Sequence, residues 1–142
     1  MSFSFSKSSL VQLHGVHPLL VEVVYDALET GIMDFSVMEG VRTLARQKEL
    51  FASGKSTTMK SKHLIQPDGY GHAVDLYPYP VNMAKVNKGD AREFARIGVL
   101  AGIMQLCAKR RNVLLRWGGD WDRDGETGDH AFFDGVHFEI IP

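Results

Sequence analysis

Two segments far apart in the chain carry the side chains from which a zinc site is built. They are Ser61-Lys62-His63 with Gly71-His72-Ala73-Val74-Asp75, and Asp134-Gly135-Val136-His137-Phe138-Glu139. A catalytic zinc takes three protein ligands and keeps its fourth position for water. His63, Asp75 and His137 are the candidate ligands, and Asp134 is the spare carboxylate. Zinc lowers the pKa of its water from near 16 to about 7, and a neighbouring carboxylate can then take the proton. Each residue alone is a weak signal, because most histidines of a globular domain bind no metal.

Strand parity tests which of these residues can converge. Successive strand side chains point to opposite faces. If residues 73–77 form a strand, Asp75 shares a face with Ala73 and Tyr77. His72, three positions from Asp75, points the other way and is the poorer co-ligand. His63, expected on a paired strand, is the better one, with His72 as its alternative. In a last strand over 136–141, His137 and Glu139 share one face, and Val136, Phe138 and Ile140 share the other. That alternation buries three apolar side chains and turns His137 to a cleft. Glu139 then either supports the ligand or makes a surface salt bridge. Arg42 stands at the end of an expected strand over 35–41. It is a candidate for holding a substrate carboxylate or a developing oxyanion, the other reading being a structural salt bridge.

The elements that must position these residues have local signals along the chain. Residues 1–14 are Ser-rich and read as a loosely held opening segment. Pro18 suits the first turn of a helix. Leu19, Leu20, Val23, Val24, Ala27 and Leu28 come next at helical spacing, and Gly31 can stop it. Thr43 can cap a second helix carrying Leu44, Gln47, Leu50 and Phe51, with Gly54 at its end. Residues 54–62 read as an exposed loop. Residues 63–75, with Pro67, Asp68, Gly69 and Gly71, read as a hairpin or long loop between two short strands. Residues 81–89 read as a loop. Asp90 and Glu93 suggest a capping box for a long helix. Its buried stripe is Phe94, Ile97, Leu100, Ala101, Met104 and Cys107, and Lys109, Arg110 and Arg111 suit its negative end. A strand over 113–117 and a Gly/Asp-rich loop over 118–129 complete an α+β fold with a small antiparallel sheet flanked by helices.

Within that loop, Asp120-x-Asp122-x-Asp124-Gly125 matches the first half of an EF-hand-like calcium loop. The twelfth position, a Glu in that motif, is Ala131 here, and Glu126 or Asp129 could complete a shorter site. The alternative is a solvated acidic turn. A calcium ion there could order the strand that carries Asp134 and His137.

The 142 residues, 44% hydrophobic and 23% charged, suit one soluble globular domain, taken to be a monomer. A net charge of −1 gives no global field for nucleic acid or an anionic membrane. Cys107 is the only cysteine, so no intrachain disulfide is possible. The first residues lack a signal peptide's apolar core, and no run approaches the roughly 20 apolar residues of a membrane span.

Ser61-x-His63, Gly71-x-Ala73-x-Asp75 and Asp134-x-x-His137-x-Glu139 resemble the signature of the zinc peptidases of peptidoglycan. These are the D-alanyl-D-alanine carboxypeptidases and VanX-type dipeptidases, with phage L-alanyl-D-glutamate endopeptidases among them. Met1-Ser2-Phe3, His17-Pro18-x-Leu20, Gly40-Val41-Arg42-Thr43 and Arg116-Trp117-Gly118-Gly119-Asp120-Trp121 resemble the phage endolysin branch, so the likeness covers nearly the whole chain. It implies a hedgehog-like zinc peptidase fold without a wall-binding domain. It implies one zinc on His63, Asp75 and His137, Asp134 as catalytic acid/base, and Arg42 at the substrate or transition state. It implies cleavage of the L-Ala–D-Glu bond in peptidoglycan stem peptides. The enzyme would be made in the host cytoplasm and reach the periplasmic wall once the membrane is permeabilised. Calcium is linked to activity in some related phage enzymes. The rivals are a DD-carboxypeptidase or dipeptidase with the same metal site, and a non-catalytic wall-binding metal protein. One departure stands out: His63 and Asp75 are twelve positions apart, more than is usual in the family, and the extra residues fall at Gln66-Pro67-Asp68-Gly69-Tyr70.

Overall fold

Leu20, Val23, Val24, Ala27 and Leu28 form one buried face of helix α2 (Pro18–Glu29), and this face anchors the hydrophobic core. Pro18 stands in its first turn, and the His17 ring accepts the Leu19 N–H at 3.1 Å as the cap. Leu19, expected on the buried face, is exposed. The computed structural model describes residues 2–125 and 134–142. Glu126, Asp129 and Ala131 of the acidic loop lie outside them.

The Ser-rich opening is not loose. It forms helix α1 (Lys7–Leu13), capped by the Ser6 hydroxyl on the Ser9 N–H at 3.2 Å. Serine disfavours helix interiors but suits caps, and composition alone hid that. Ser9 is buried and its hydroxyl accepts the Val37 N–H at 3.1 Å, which ties α1 to strand β1 (Phe35–Glu39). The approach is close: a Cβ on Gly40 would sit 1.8 Å from the Gln12 carbonyl oxygen.

Helix α3 (Leu44–Ala52) is capped by Thr43 as expected, yet its only buried residue is polar Gln47, and Leu44 and Phe51 are exposed. This helix borders a cleft instead of the core. Strand β2 (Ala73–Pro78) comes after a tight turn, in which the Gln66 N–H meets the Tyr70 carbonyl at 2.8 Å and Ile65 bridges Gly71. His63 therefore sits in a turn, not on a paired strand. Residues 81–89, expected as loop, contain the short helix α4 (Met83–Asn87), capped by Asn82. Helix α5 (Ala91–Arg110) starts at Asp90, whose carboxylate accepts the Arg92 and Glu93 N–H groups at 3.0 and 3.1 Å. Glu93 pairs with Arg96 at 3.3 Å. Ile97, Leu100, Ala101, Met104 and Cys107 are buried, while Phe94 at the first turns is exposed. Strands β3 (Leu115–Trp117) and β4 (His137–Ile140) are shorter than the runs suggested.

The four strands form one antiparallel sheet in the order β1-β2-β4-β3. Val37, Val74, Leu76, Phe138 and Ile140 pack with α2 and α5 in one core. Among the described residues, no helix is long and apolar enough to cross a membrane.

Candidate metal centre

Register places the chemistry on the sheet face away from the core. Glu39 stands opposite Asp75, and Asp75 opposite His137. Directly opposed residues share a face, so these three form a row across β1, β2 and β4. The next row is Ala73, Glu139 and Arg116 across β2, β4 and β3. Their sequence neighbours Val74 and Phe138 fill the core.

His63 Nε2 lies 3.2 Å from Asp75 Oδ1, and His137 Nδ1 lies 3.4 Å from the same oxygen. Zinc–ligand bonds of about 2.0–2.1 Å in a tetrahedron separate ligand atoms by about 3.3 Å, so these spacings suit co-ligands. The ligand atoms of all three residues lie within 4.8 Å of one another. The outer ring nitrogens are also held: His63 Nδ1 is 2.8 Å from the Gly40 carbonyl oxygen, and His137 Nε2 is 2.9 Å from Glu139 Oε1. An outer N–H donated to an oxygen leaves the inner lone pair free for a metal. Two imidazoles, one carboxylate and two braces fit a zinc ion.

Burial alone would raise the Asp75 pKa, but hydrogen bonds from His137 and His63 hold it well below the usual carboxylate range. Burial pulls His137 toward its neutral form, yet Asp75 and Glu139 push its pKa up to about 9. Burial pushes Glu139 up, but its hydrogen bond to His137 together with the charges of His137, Arg116 and Lys62 leaves its pKa lowered. Asp134 goes the other way: burial, then the Asp75 charge, raise its pKa. Such a carboxyl takes up a proton more readily than an ordinary aspartate, as a group that accepts and returns one must.

Asp134 lines the same cleft, of about 490 Å³, as His63, Asp75 and His137. Its N–H donates to the Gly118 carbonyl at 2.8 Å, and its own carbonyl accepts the His137 N–H at 3.1 Å. Trp117 Nε1 fixes the turn through the Gly135 carbonyl at 2.7 Å. Arg42 borders the cleft, but its side chain is engaged in a brace. Nε and Nη2 grip the Glu39 carboxylate at 2.6 and 2.9 Å, and Nη1 donates to Gln47 at 2.7 Å and to Ser61 at 3.4 Å. Its backbone N–H holds the His63 carbonyl at 2.8 Å. His72 is turned away, 2.7 Å from Asp68 and with its ring against His17.

Three residues in or behind the cleft had no site role in the sequence reading. Gln47 is fully buried, accepts from Arg42 and donates to Ser56 and to the Thr58 carbonyl, so it ties α3 to the loop over the cleft. Glu39 and Arg116 line the cleft itself. The alternation Leu115-Arg116-Trp117 was the available signal for Arg116; for Gln47 there was none, since a polar helix residue reads as solvated.

Asp120, Asp122 and Asp124 offer carboxylate oxygens within 4.8 Å of one another. Asp120 is buried, and its carboxylate accepts the Asp124 and Gly125 N–H groups at 3.2 and 2.8 Å.

Comparison with known proteins yields matches over nearly the whole chain. Residues 1–141 match the family model described as phage L-alanyl-D-glutamate peptidase. The L-alanyl-D-glutamate peptidase of Escherichia phage T5 is 33% identical over 147 residues, covering 99% of this chain and 100% of the phage protein. The crystal structure of the Serratia marcescens L-Ala D-Glu endopeptidase ChiX aligns with a TM-score of 0.74 at 32% identity, over 99% of this chain and 91% of that one.

Proposed function

The chain belongs to the phage L-alanyl-D-glutamate peptidase family, and from that premise we propose that it is a zinc-dependent endopeptidase cutting the L-Ala–D-Glu bond of peptidoglycan stem peptides. One observation carries the reading: Asp75 Oδ1 lies between two imidazole nitrogens whose rings are braced from behind by Gly40 and Glu139. His63, Asp75 and His137 would hold the ion, which supplies a Lewis acid for the scissile carbonyl and acidifies the attacking water. Asp134 takes the proton from that water and passes it to the leaving nitrogen. Arg42 keeps the His63 carbonyl and the cleft wall in place, and any contact it makes with substrate is through donors left over from Glu39 and Gln47. The enzyme acts on the periplasmic wall after the membrane is permeabilised, and so lyses the host.

Paired variants test the division of labour. Asp134→Ala keeps about one zinc per chain but loses roughly 10²–10⁴-fold in activity on a purified-wall zymogram. His137→Ala loses both metal and lysis. Full activity in Asp134→Ala removes the proton-transfer role.

For Asp120, Asp122 and Asp124 we propose calcium, on ligand chemistry: hard carboxylate oxygens at alternate positions before a glycine. Calorimetry gives heat on adding calcium to the zinc-loaded enzyme, and a calcium-selective chelator lowers activity. No heat, together with unchanged activity, dismisses the idea.

A further inference from the structure

Among the described residues, two buried side-chain nitrogens have no hydrogen-bond partner: His72 Nδ1 and Arg116 Nε. His72 faces Asp68, away from the metal centre. Arg116 is on the face of the sheet that carries Asp75 and His137, one row over, and lines the same cleft. Adjacent rows are about 7 Å apart along a strand. Its cross-strand neighbour Glu139 feels the Arg116 charge, but the hydrogen bond of that carboxylate goes to His137 at 2.9 Å and leaves Arg116 Nε without an acceptor.

The cleft is rich in negative charge, with Glu39, Asp75, Asp134 and Glu139 all on its wall. Its other cations are otherwise placed. Arg42 is bound to Glu39, Arg46 pairs with Glu49 in solvent, and Lys55, Lys60 and Lys62 are exposed. Arg116 is the half-buried guanidinium with a desolvated N–H still to donate. Buried donors in native proteins almost always find an acceptor, and a guanidinium matches a carboxylate by its planar fork.

The substrate class supplies such an acceptor. Past the scissile bond of an L-Ala–D-Glu peptide, the leaving residue is a glutamate with two carboxyl groups. One continues the chain and the other stays free. If the free one is on Cα, only the nitrogen and that carbon separate it from the scissile carbonyl. We propose that Arg116 binds this free carboxylate and so selects D-glutamate on the leaving side of the bond. The proposal rests on the peptidase reading above and adds to it a residue that reads the substrate.

The test uses two matched stem-type peptides, one with the free D-Glu carboxylate and one with that group converted to a carboxamide. Zinc-loaded wild type, Arg116→Gln and Arg116→Lys are compared by kcat/KM on both. They are also compared by calorimetric binding of the two product peptides that begin with D-Glu. Wild type favours the carboxylate over the carboxamide by about 10- to 100-fold in both readouts. Arg116→Gln brings the ratio toward one, and Arg116→Lys, which keeps the charge but loses the fork, lies between. Circular dichroism and zinc content show that each variant is folded, and if Arg116→Gln is not, the ratio in Arg116→Lys decides. Cleavage with a ratio indifferent to Arg116 overturns the proposal and leaves the peptidase reading intact. No cleavage, with product binding that still discriminates through Arg116, overturns the peptidase reading alone. Neither cleavage nor binding overturns both.

Discussion

Asp75, Asp134, Glu139, His63 and His137 crowd one cleft wall, and most of them are buried. Ionisable groups taken from water are costly unless paired or bound to a metal, so this density has a chemical purpose. In the metal-free protein, His137 holds its proton up to about pH 9. Its folded pKa lies above its unfolded value, so it stabilises fully below about pH 6.5 and the contribution is lost as pH rises through about 9. Asp75 has the opposite sign, with a lowered pKa whose contribution is lost in strong acid. A metal must displace the His137 proton. Apparent zinc affinity, measured by competition with a chromophoric chelator, therefore rises with pH and levels off near 9. In Glu139→Gln the rise moves to lower pH, because the carboxylate that helps hold the proton is gone. The plateau affinity falls about 10- to 100-fold, because the ring loses its support. An affinity flat between pH 6 and 9 contradicts this coupling of proton and metal.

At the scale of elements, the site depends on close backbone approaches. A Cβ on Gly118 would lie 2.2 Å from the Asp134 carbonyl oxygen. Gly118 also donates its N–H to the His137 carbonyl at 2.8 Å and accepts from the Asp134 N–H. Gly118→Ala is expected to destabilise by about 1–3 kcal/mol and to lower kcat by displacing Asp134. Gly102, in the middle of α5, has nothing within 4 Å of its would-be Cβ. Gly102→Ala is expected to stabilise by up to about 1 kcal/mol with activity unchanged. Thermal melts and turnover of the two variants side by side check the contrast. Equal effects of the two substitutions would mean that the Gly118 approach does not position the site.

At the scale of the whole molecule, much of the fold was legible because its signals are local. Pro18 and the Leu20-to-Leu28 stripe gave α2, Thr43 gave the start of α3, and Asp90 gave the start of α5. The alternation over 136–140 separated His137 and Glu139 from Val136, Phe138 and Ile140, and β4 has that arrangement. His72 was set aside by parity, and it does face away from Asp75. His63 reaches Asp75 for a different reason than the one expected. It sits in a turn held by the Arg42 N–H, and the added residues Gln66 to Tyr70 form a turn tip beyond it. Helix α1 was missed because a serine cap resembles a serine-rich tail. The roles of Gln47 and Arg116 were missed because their partners and surroundings exist only once α3 and β3 are packed. Tertiary contacts of that kind leave no mark on local sequence pattern. Metal, bond and substrate meet in one product, so mass spectrometry of muropeptides from purified peptidoglycan tests the assignment most directly. Zinc-loaded enzyme should release peptides that begin with D-Glu and leave glycan-linked L-Ala, and chelation should abolish both. Release of free D-Ala or D-Ala-D-Ala, or an unchanged D-Glu product after zinc removal, would contradict it.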